Sequence, residues 1–380
     1  MNWIKNFSII VFVSAFSLEA LSFVATKLNL FLVNETPNFY SSSINKDLPD
    51  IVYGRTEMEK WGAWHSSNAT FRHSSSCFNV TLSFNEVGAR DETFIEVPSS
   101  ALVLLGDSFA EGYGVERREM SEYLMEQELN LSILNFGASG NFGPLQQLLI
   151  YDEFKDIPHQ GLIIYFLPFN DFTDNDVEIW KAKNHYRYRP YFSSKGDPLV
   201  PFYFPTAVPR DELVTVKAYA LKRFIKDNFW SSNALRSALK LISGEAEYLK
   251  KRNEFMPSFY YDATELQQLN ILAAYEAILD IAENKNILFV IIPSEFDIDR
   301  YRAEPNPQIY HSTIWYQAFI NFKKRNEQRV EVLDLMDYLP SSTKNLFFNC
   351  DSHWSPQGNI WAAKVISNFI KDKNLFEIDK

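Results

Sequence analysis

The stretch Ala101-Leu-Val-Leu-Leu-Gly106-Asp107-Ser108-Phe109-Ala110-Glu-Gly112-Tyr-Gly114 decides the fold. Its first five residues are all apolar, the pattern of a strand covered on both faces in a parallel sheet. The strand runs into Gly106, a serine and a loop with two further glycines, and a helical pattern opens near Arg117. In an open α/β sheet the ligand crevice lies at the carboxyl ends of the strands, so Ser108 is placed where chemistry happens. The following loop can turn backbone N–H groups toward a developing oxyanion. The plain alternative is a βα turn whose serine caps a helix.

Outward from this stretch the pattern alternates. Leu131–Phe136, Gly161–Leu167, Asn286–Ile292 and Val330–Asp334 read as further buried strands. Helical patterns fall at Leu145–Phe154, about 213–242, Thr264–Glu283 and Ile309–Lys323, and Ser355-Pro356 opens a last helix. Strands alternating with helices predict βαβ units around a parallel sheet of about five strands. The rhythm breaks over about 175–258, an insertion rich in aromatic and basic residues at its start. It reads as a long loop packed by its own side chains, with a sugar-stacking lid as the alternative.

With 46% hydrophobic and 16% aromatic residues the chain is not disordered, and a net charge of −11 gives no electrostatic reason to expect nucleic acid. No P-loop, dinucleotide fingerprint or H-E-x-x-H pair is present. At the N-terminus, Lys5 precedes the apolar run Phe7–Leu18; Glu19 interrupts it, and Ala20–Ala25 continue it. Twelve residues suit a signal peptide, whereas about twenty are needed to span a bilayer, which requires that Glu19 be tolerated. Residues 1–33 therefore read as a signal peptide or signal anchor. The chain is then membrane-anchored with its catalytic part outside the cytoplasm, or secreted or periplasmic if the leader is cleaved. Residues 34–98 form a small β-containing extension, and 99–380 the main domain.

Before the last helix stands Phe347-Phe-Asn-Cys350-Asp351-Ser-His353-Trp354-Ser355-Pro356-Gln-Gly358. A histidine beside a carboxylate can act as a general base held in one tautomer, which a serine nucleophile needs. Four blocks now follow one another in chain order: Gly-Asp-Ser-Phe at 106–109, Asn-x-Gly-x-Ser-Gly at 135–140, Asn-Asp at 170–171 and Asp-x-His at 351–353. Together they resemble the SGNH (GDSL-type) hydrolase superfamily over roughly 99–370.

The resemblance implies a flavodoxin-like, three-layer α/β fold without cofactor or metal. It also implies Ser108 as nucleophile, His353 as base and Asp351 as its orienting carboxylate. The oxyanion hole falls to the N–H groups of Ser108 and Gly140 and the amide of Asn170. The commoner family spacing, Asp-x-x-His, would put the carboxylate at Cys350. The Asp-x-His-Trp-Ser-Pro-x-Gly version here is similar to exported SGNH-like proteins that O-acetylate polysaccharides, although in those the segment can precede the nucleophile. The α/β-hydrolase fold, whose G-x-S-x-G motif nearly matches, usually has more strands before its serine and a wider Asp–His gap.

The expected activity is that of a serine esterase on an acyl, and particularly acetyl, ester of a carbohydrate or small molecule. The alternatives are an O-acyltransferase that passes the acyl group to a polysaccharide, and a non-catalytic binding protein. The two cysteines, Cys77 and Cys350, can form a disulfide in an oxidising compartment or remain buried thiols.

Overall fold

The computed structural model describes residues 2–28, 55–65, 67–75, 77–140, 142–182, 189–193, 199–201, 203, 229–232, 234–235, 238–239 and 258–378. The helix α1 (Asn2–Lys27) comes first, followed by two antiparallel hairpins. These are β1 (Arg55–Glu59) with β2 (Gly62–His65), and β3 (Thr70–Ser74) with β4 (Asn79–Ser83). The main sheet consists of β5 (Leu102–Leu105), β6 (Ile133–Asn135), β7 (Gly161–Phe166), β8 (Asn286–Ile291) and β9 (Val330–Asp334). Its order is β6-β5-β7-β8-β9 and every pairing is parallel. This is the flavodoxin-like order, in which the ligand crevice opens where the connections change direction, between the first strand and the third. Here those strands are β5 and β7.

β5 and β7 are buried along their whole length, as their unbroken apolar runs require in a covered sheet. The helices in chain order are α2 (Ser108–Glu111), α3 (Ser121–Leu129), α4 (Pro144–Phe154), α5 (Pro168–Asp174), α6 (Val177–Ala182), α7 (Phe259–Asp262), α8 (Glu265–Ile281), α9 (Glu295–Ala303), α10 (Ile314–Arg325) and α11 (Pro356–Lys373). α3 packs against α11, while α8 packs against α4, α5 and α10. Two helix onsets differ from the sequence reading. Residues 117–119 form a single 3-10 turn before α3, and 307–312 form another before α10, so both α-helices start later than their apolar periodicity suggests. Most of the helical pattern expected over 213–242 lies outside the described residues, as do Tyr186 and Tyr188 of the insertion. Trp180, Tyr191 and the Arg189 guanidinium, 4.3 Å over the Trp180 ring, pack on one another.

The hairpins are joined to the main core. Trp61, Trp64 and Ala89 belong to the same apolar cluster as the sheet, and Gln146 of α4 donates to the Trp61 carbonyl at 2.8 Å. A second cluster of Phe78, Val80, Leu82 and Phe84 packs on Tyr113 and Phe348. Arg90, almost fully buried, donates to the carbonyl of Glu111 (2.8 Å), the last residue of α2, and to that of Val115 (2.6 Å) beyond it. Asp91 accepts from the N–H of Asn135 at 2.8 Å and pairs with Arg117 at 2.6 Å. Cys77 and Cys350 form a disulfide with Cα atoms 5.9 Å apart, within ordinary disulfide reach.

α1 is long and apolar enough to cross a membrane over Asn6–Ala25, and most of its large side chains are exposed. Glu19, the residue that interrupts this run, accepts from the backbone N–H groups of Trp230 and Ser231. The carboxylate that would otherwise stand alone in an apolar helix is therefore paired.

Removing the disulfide by Cys77→Ser or Cys350→Ser should cost about 2–5 kcal/mol of stability. Denaturant unfolding of the oxidised protein and each variant reads this difference. Peptide mapping under non-reducing conditions should recover the Cys77–Cys350 peptide pair.

Candidate active site

Ser108 is the first residue of α2, directly beyond β5. The helix is capped by Asp107, whose Oδ1 accepts from the Phe109 N–H at 2.9 Å. The Asp107 side chain is thus a cap, and its second oxygen accepts from the Asn170 Nδ2 at 3.1 Å. Burial raises the Asp107 carboxyl above its ordinary value, against the opposing pull of the Phe109 N–H, the His353 ring and the Asn170 amide. Asn170 lies on α5, which begins just past β7, so the Ser and Asn blocks meet at the crevice predicted by the strand order.

The third block follows β6. Asn135 donates to the Ala110 carbonyl and accepts from the Gly137 N–H, both at 2.8 Å, which turns the loop back onto α2. Gly137 sits so close that a Cβ would lie 2.5 Å from the Ala110 Cβ and from the Glu111 N. Gly140 has φ +83°, a backbone setting that glycine adopts freely and L side chains resist. The Ser139 N–H before it donates to a carboxylate oxygen of Glu111.

The fourth block forms the tip of a small hairpin. Phe347 and Trp354 make an antiparallel bridge, the Phe348 N–H donates to the His353 carbonyl at 3.0 Å, and the Ser355 N–H to Leu346 at 2.9 Å. Ser355 then caps α11 by accepting from Gln357 and Gly358, with Pro356 in the first turn as its fixed φ favours. At the tip, Asp351 accepts from the backbone N–H of His353 at 3.1 Å and is hydrogen-bonded to its Nδ1. The His353 Nε2 stands 2.7 Å from the Ser108 Oγ. Tyr113 stacks on the imidazole, with ring centroids 4.1 Å apart and planes 25° apart, and Phe109 leans on it at 5.2 Å.

Burial alone would raise the Asp351 carboxyl, but the His353 ring and its hydrogen bonds hold it below its ordinary value. His73, packed edge-on against Tyr113, is pushed down to about 4, chiefly by burial, so that it is neutral at pH 7.

The structure thus brings together Ser108, His353 and Asp351 in hydrogen-bonding sequence, with Asn170 bonded to the Asp107 cap and the Gly140 loop held against α2. Sequence reasoning did not single out Glu111, His65, Arg90 or Tyr113 as site neighbours. Glu111 and Tyr113 lie inside the quoted stretch, but their partners come from up to 240 positions away, and no local spacing announces them. Among the described residues, His311, Asp334 and Asp337 bring candidate metal-ligand atoms within 4.8 Å of one another. Asp334 ends β9, Asp337 follows it and His311 lies in the 307–312 turn, and none belongs to the Ser–His–Asp set. A cavity of about 380 Å³ lined by Arg302, Lys344, Phe347 and Phe348, among others, borders the hairpin but not Ser108.

Residues 241–379 match the family described as "SGNH hydrolase-like domain, acetyltransferase AlgX". Over these residues, less than half of the chain, the sequence is similar to that family. The match takes in Asp351 and His353, and Ser108, Gly140 and Asn170 of the SGNH blocks precede it. No curated protein matches the sequence. Several solved structures resemble this chain in fold. A member of the lipolytic protein G-D-S-L family from Veillonella parvula DSM 2008 has 8% identity and a TM-score of 0.35, covering 72% of this chain and 98% of that one. A Clostridium thermocellum family 3 carbohydrate esterase has 10% identity and a TM-score of 0.35, covering 72% and 96%. A salicylyl-acyltransferase from a tetracycline biosynthetic pathway has 11% identity and a TM-score of 0.40, covering 76% and 58%.

Asp351→Asn removes the negative partner of the imidazolium. Without that charge the imidazolium that forms as Ser108 attacks is less well stabilised and the ring is held less firmly in one orientation, so the barrier rises. The rate should fall, by less than in His353→Ala. Measuring kcat/KM of both variants on a short acyl ester checks this.

Proposed function

We propose that the protein is a serine esterase acting on an acyl ester of a carbohydrate or small molecule through an acyl-Ser108 intermediate. The observation that carries this reading is the run of hydrogen bonds from Ser108 Oγ to His353 Nε2 and from His353 Nδ1 to Asp351. Ser108 attacks the acyl carbon as its proton passes to Nε2, and Asp351 stabilises the imidazolium that forms. The oxyanion is received by the N–H groups of Ser108 and Gly140 and by the Asn170 amide. That amide has two N–H bonds, so one can hold Asp107 while the other serves the site. Each such donor contributes about 3–4 kcal/mol to lowering the barrier. Collapse returns the proton to the leaving alcohol, and His353 then activates the acceptor that releases the acyl group.

Water is the acceptor in the esterase reading. The second reading, transfer to a polysaccharide hydroxyl, is favoured by the acetyltransferase family matched over 241–379 and by the Asp-x-His-Trp-Ser-Pro-x-Gly block. Both readings suit an exported enzyme, anchored by α1 or released after its cleavage. Support comes from the apolar helix α1 and the disulfide, which persists in oxidising compartments.

Ser108→Ala should abolish hydrolysis of p-nitrophenyl acetate, and His353→Ala should match that loss. The double variant should be barely worse than either single one, because the two side chains act as a unit. A fluorophosphonate should label the wild type at Ser108, and failure to label would favour a non-catalytic protein. Release of acetate from an acetylated donor, measured with and without a polysaccharide acceptor, separates hydrolysis from transfer: acceptor-dependent loss of donor with acylated glycan as product establishes the second reading.

A further inference from the structure

The loop that carries Gly140 is held from below by one buried carboxylate. Glu111, at the C-terminal end of α2, accepts the N–H of Ser139 through Oε2. Its other oxygen, Oε1, lies 3.3 Å from the Nε2 of His65. Both side chains are about 1% exposed, so neither contact is diluted by solvent. His65 is itself fixed: it ends β2, and its ring stacks on Phe84 with centroids 3.8 Å apart. Arg90 of the same N-terminal segment donates to the Glu111 carbonyl at 2.8 Å, and its charge is felt by the Glu111 carboxylate. The charge of that carboxylate also acts on His73.

We infer that Glu111 is a positioning residue for acyl transfer, which, held by His65, fixes the Ser139–Gly140 backbone so that the Gly140 N–H points at the oxyanion. The inference rests on the reading of Ser108 as the acyl-accepting nucleophile. The physical reason lies in the loop itself. Gly137 and Gly140 give it close approach and a left-handed turn, but glycine also leaves the backbone free to rotate away. An oxyanion donor is effective only when it is aimed before the charge develops. A buried carboxylate on the same short helix as the nucleophile ties the donor and the nucleophile to one body. His65 supplies a hydrogen-bonding partner that the carboxylate needs in a water-free setting. The N-terminal hairpins thereby bear on the reaction through the His65–Glu111 contact.

The test uses the full chain, p-nitrophenyl acetate as substrate and phenylboronic acid as a probe that becomes tetrahedral on a serine. Glu111→Met keeps the side-chain length and removes both acceptors. It should lower kcat about 10- to 100-fold, leave KM within about threefold, and weaken boronate inhibition by a similar factor to kcat. Glu111→Gln, which keeps an acceptor for the Ser139 N–H, should recover most of the loss. His65→Leu should give the same pattern at smaller amplitude, and it decides the matter if Glu111→Met does not fold. A folded Glu111→Met with wild-type kcat and boronate affinity overturns the inference, as does a loss confined to KM. A wild-type enzyme that neither hydrolyses the ester nor binds the boronate overturns the acyl-transfer reading itself, and the inference with it.

Discussion

The distance between the Ser108 Oγ and the His353 Nε2, 2.7 Å, joins residues 245 positions apart in the chain. A proton passes efficiently between two groups only when they stay within hydrogen-bond reach, and an error of about 1 Å can cost two orders of magnitude in rate. The two residues sit on very different supports. Ser108 begins a helix at the end of a buried central strand, where packing leaves it little freedom. His353 sits at the tip of a hairpin whose backbone is tied by a single bridge and a few turns. Much of the remaining structure answers the question of how that tip is kept still.

The answer comes largely from the N-terminal segment. Cys77 is bonded to the residue before Asp351, Phe78 packs on Phe348, and His73 packs on the Tyr113 that stacks against His353. Arg90 gathers carbonyls from the loop that leaves α2. Charged groups are costly to bury, and the fold meets that cost with hydrogen bonds directed at backbone carbonyls. Tyr113 and Phe109, both packed against the His353 ring, restrict its tilt while Nε2 stands toward Ser108. A fold that needed only its five-stranded sheet for stability would have no use for most of these contacts.

How far this was legible depends on range. The strands β5, β7 and β8 stand out because burial on both faces writes itself as a nearly uninterrupted apolar run, whereas β9 carries Glu331 and is only partly buried. The order of the four motifs and the α11 onset at Pro356 are equally local. The starts of α3 and α10 were displaced, since a 3-10 turn carries nearly the same apolar spacing as the first turn of an α-helix. The Ser, Asn and Asp-x-His residues that meet at the crevice could be named because their spacing is short and their chemistry specific. Glu111 could not, since a glutamate flanked by Ala110 and Gly112 looks like any helix end. Its meaning comes from His65 and Ser139, and their meeting is a product of tertiary packing. The disulfide was an open alternative for the same reason: pairing is decided by distance, not by sequence.

The disulfide has one further consequence. With only two cysteines, the chain has a single intramolecular pairing available, so shuffling among wrong isomers within one molecule does not arise. The hazard lies elsewhere: Cys77 precedes its partner by 273 positions and, in a chain made from its N-terminus, waits as a free thiol while the sheet is assembled. Until Cys350 arrives, the errors open to it are exchange with a small-molecule disulfide, which leaves one half bonded to Cys77 and releases the other as a thiol, or with a disulfide of a second molecule. Either adduct would leave the hairpin that carries Asp351 and His353 without its tether. The identity of the partner bonded to one sulfur far from Ser108 in sequence therefore reports whether that hairpin has been tethered.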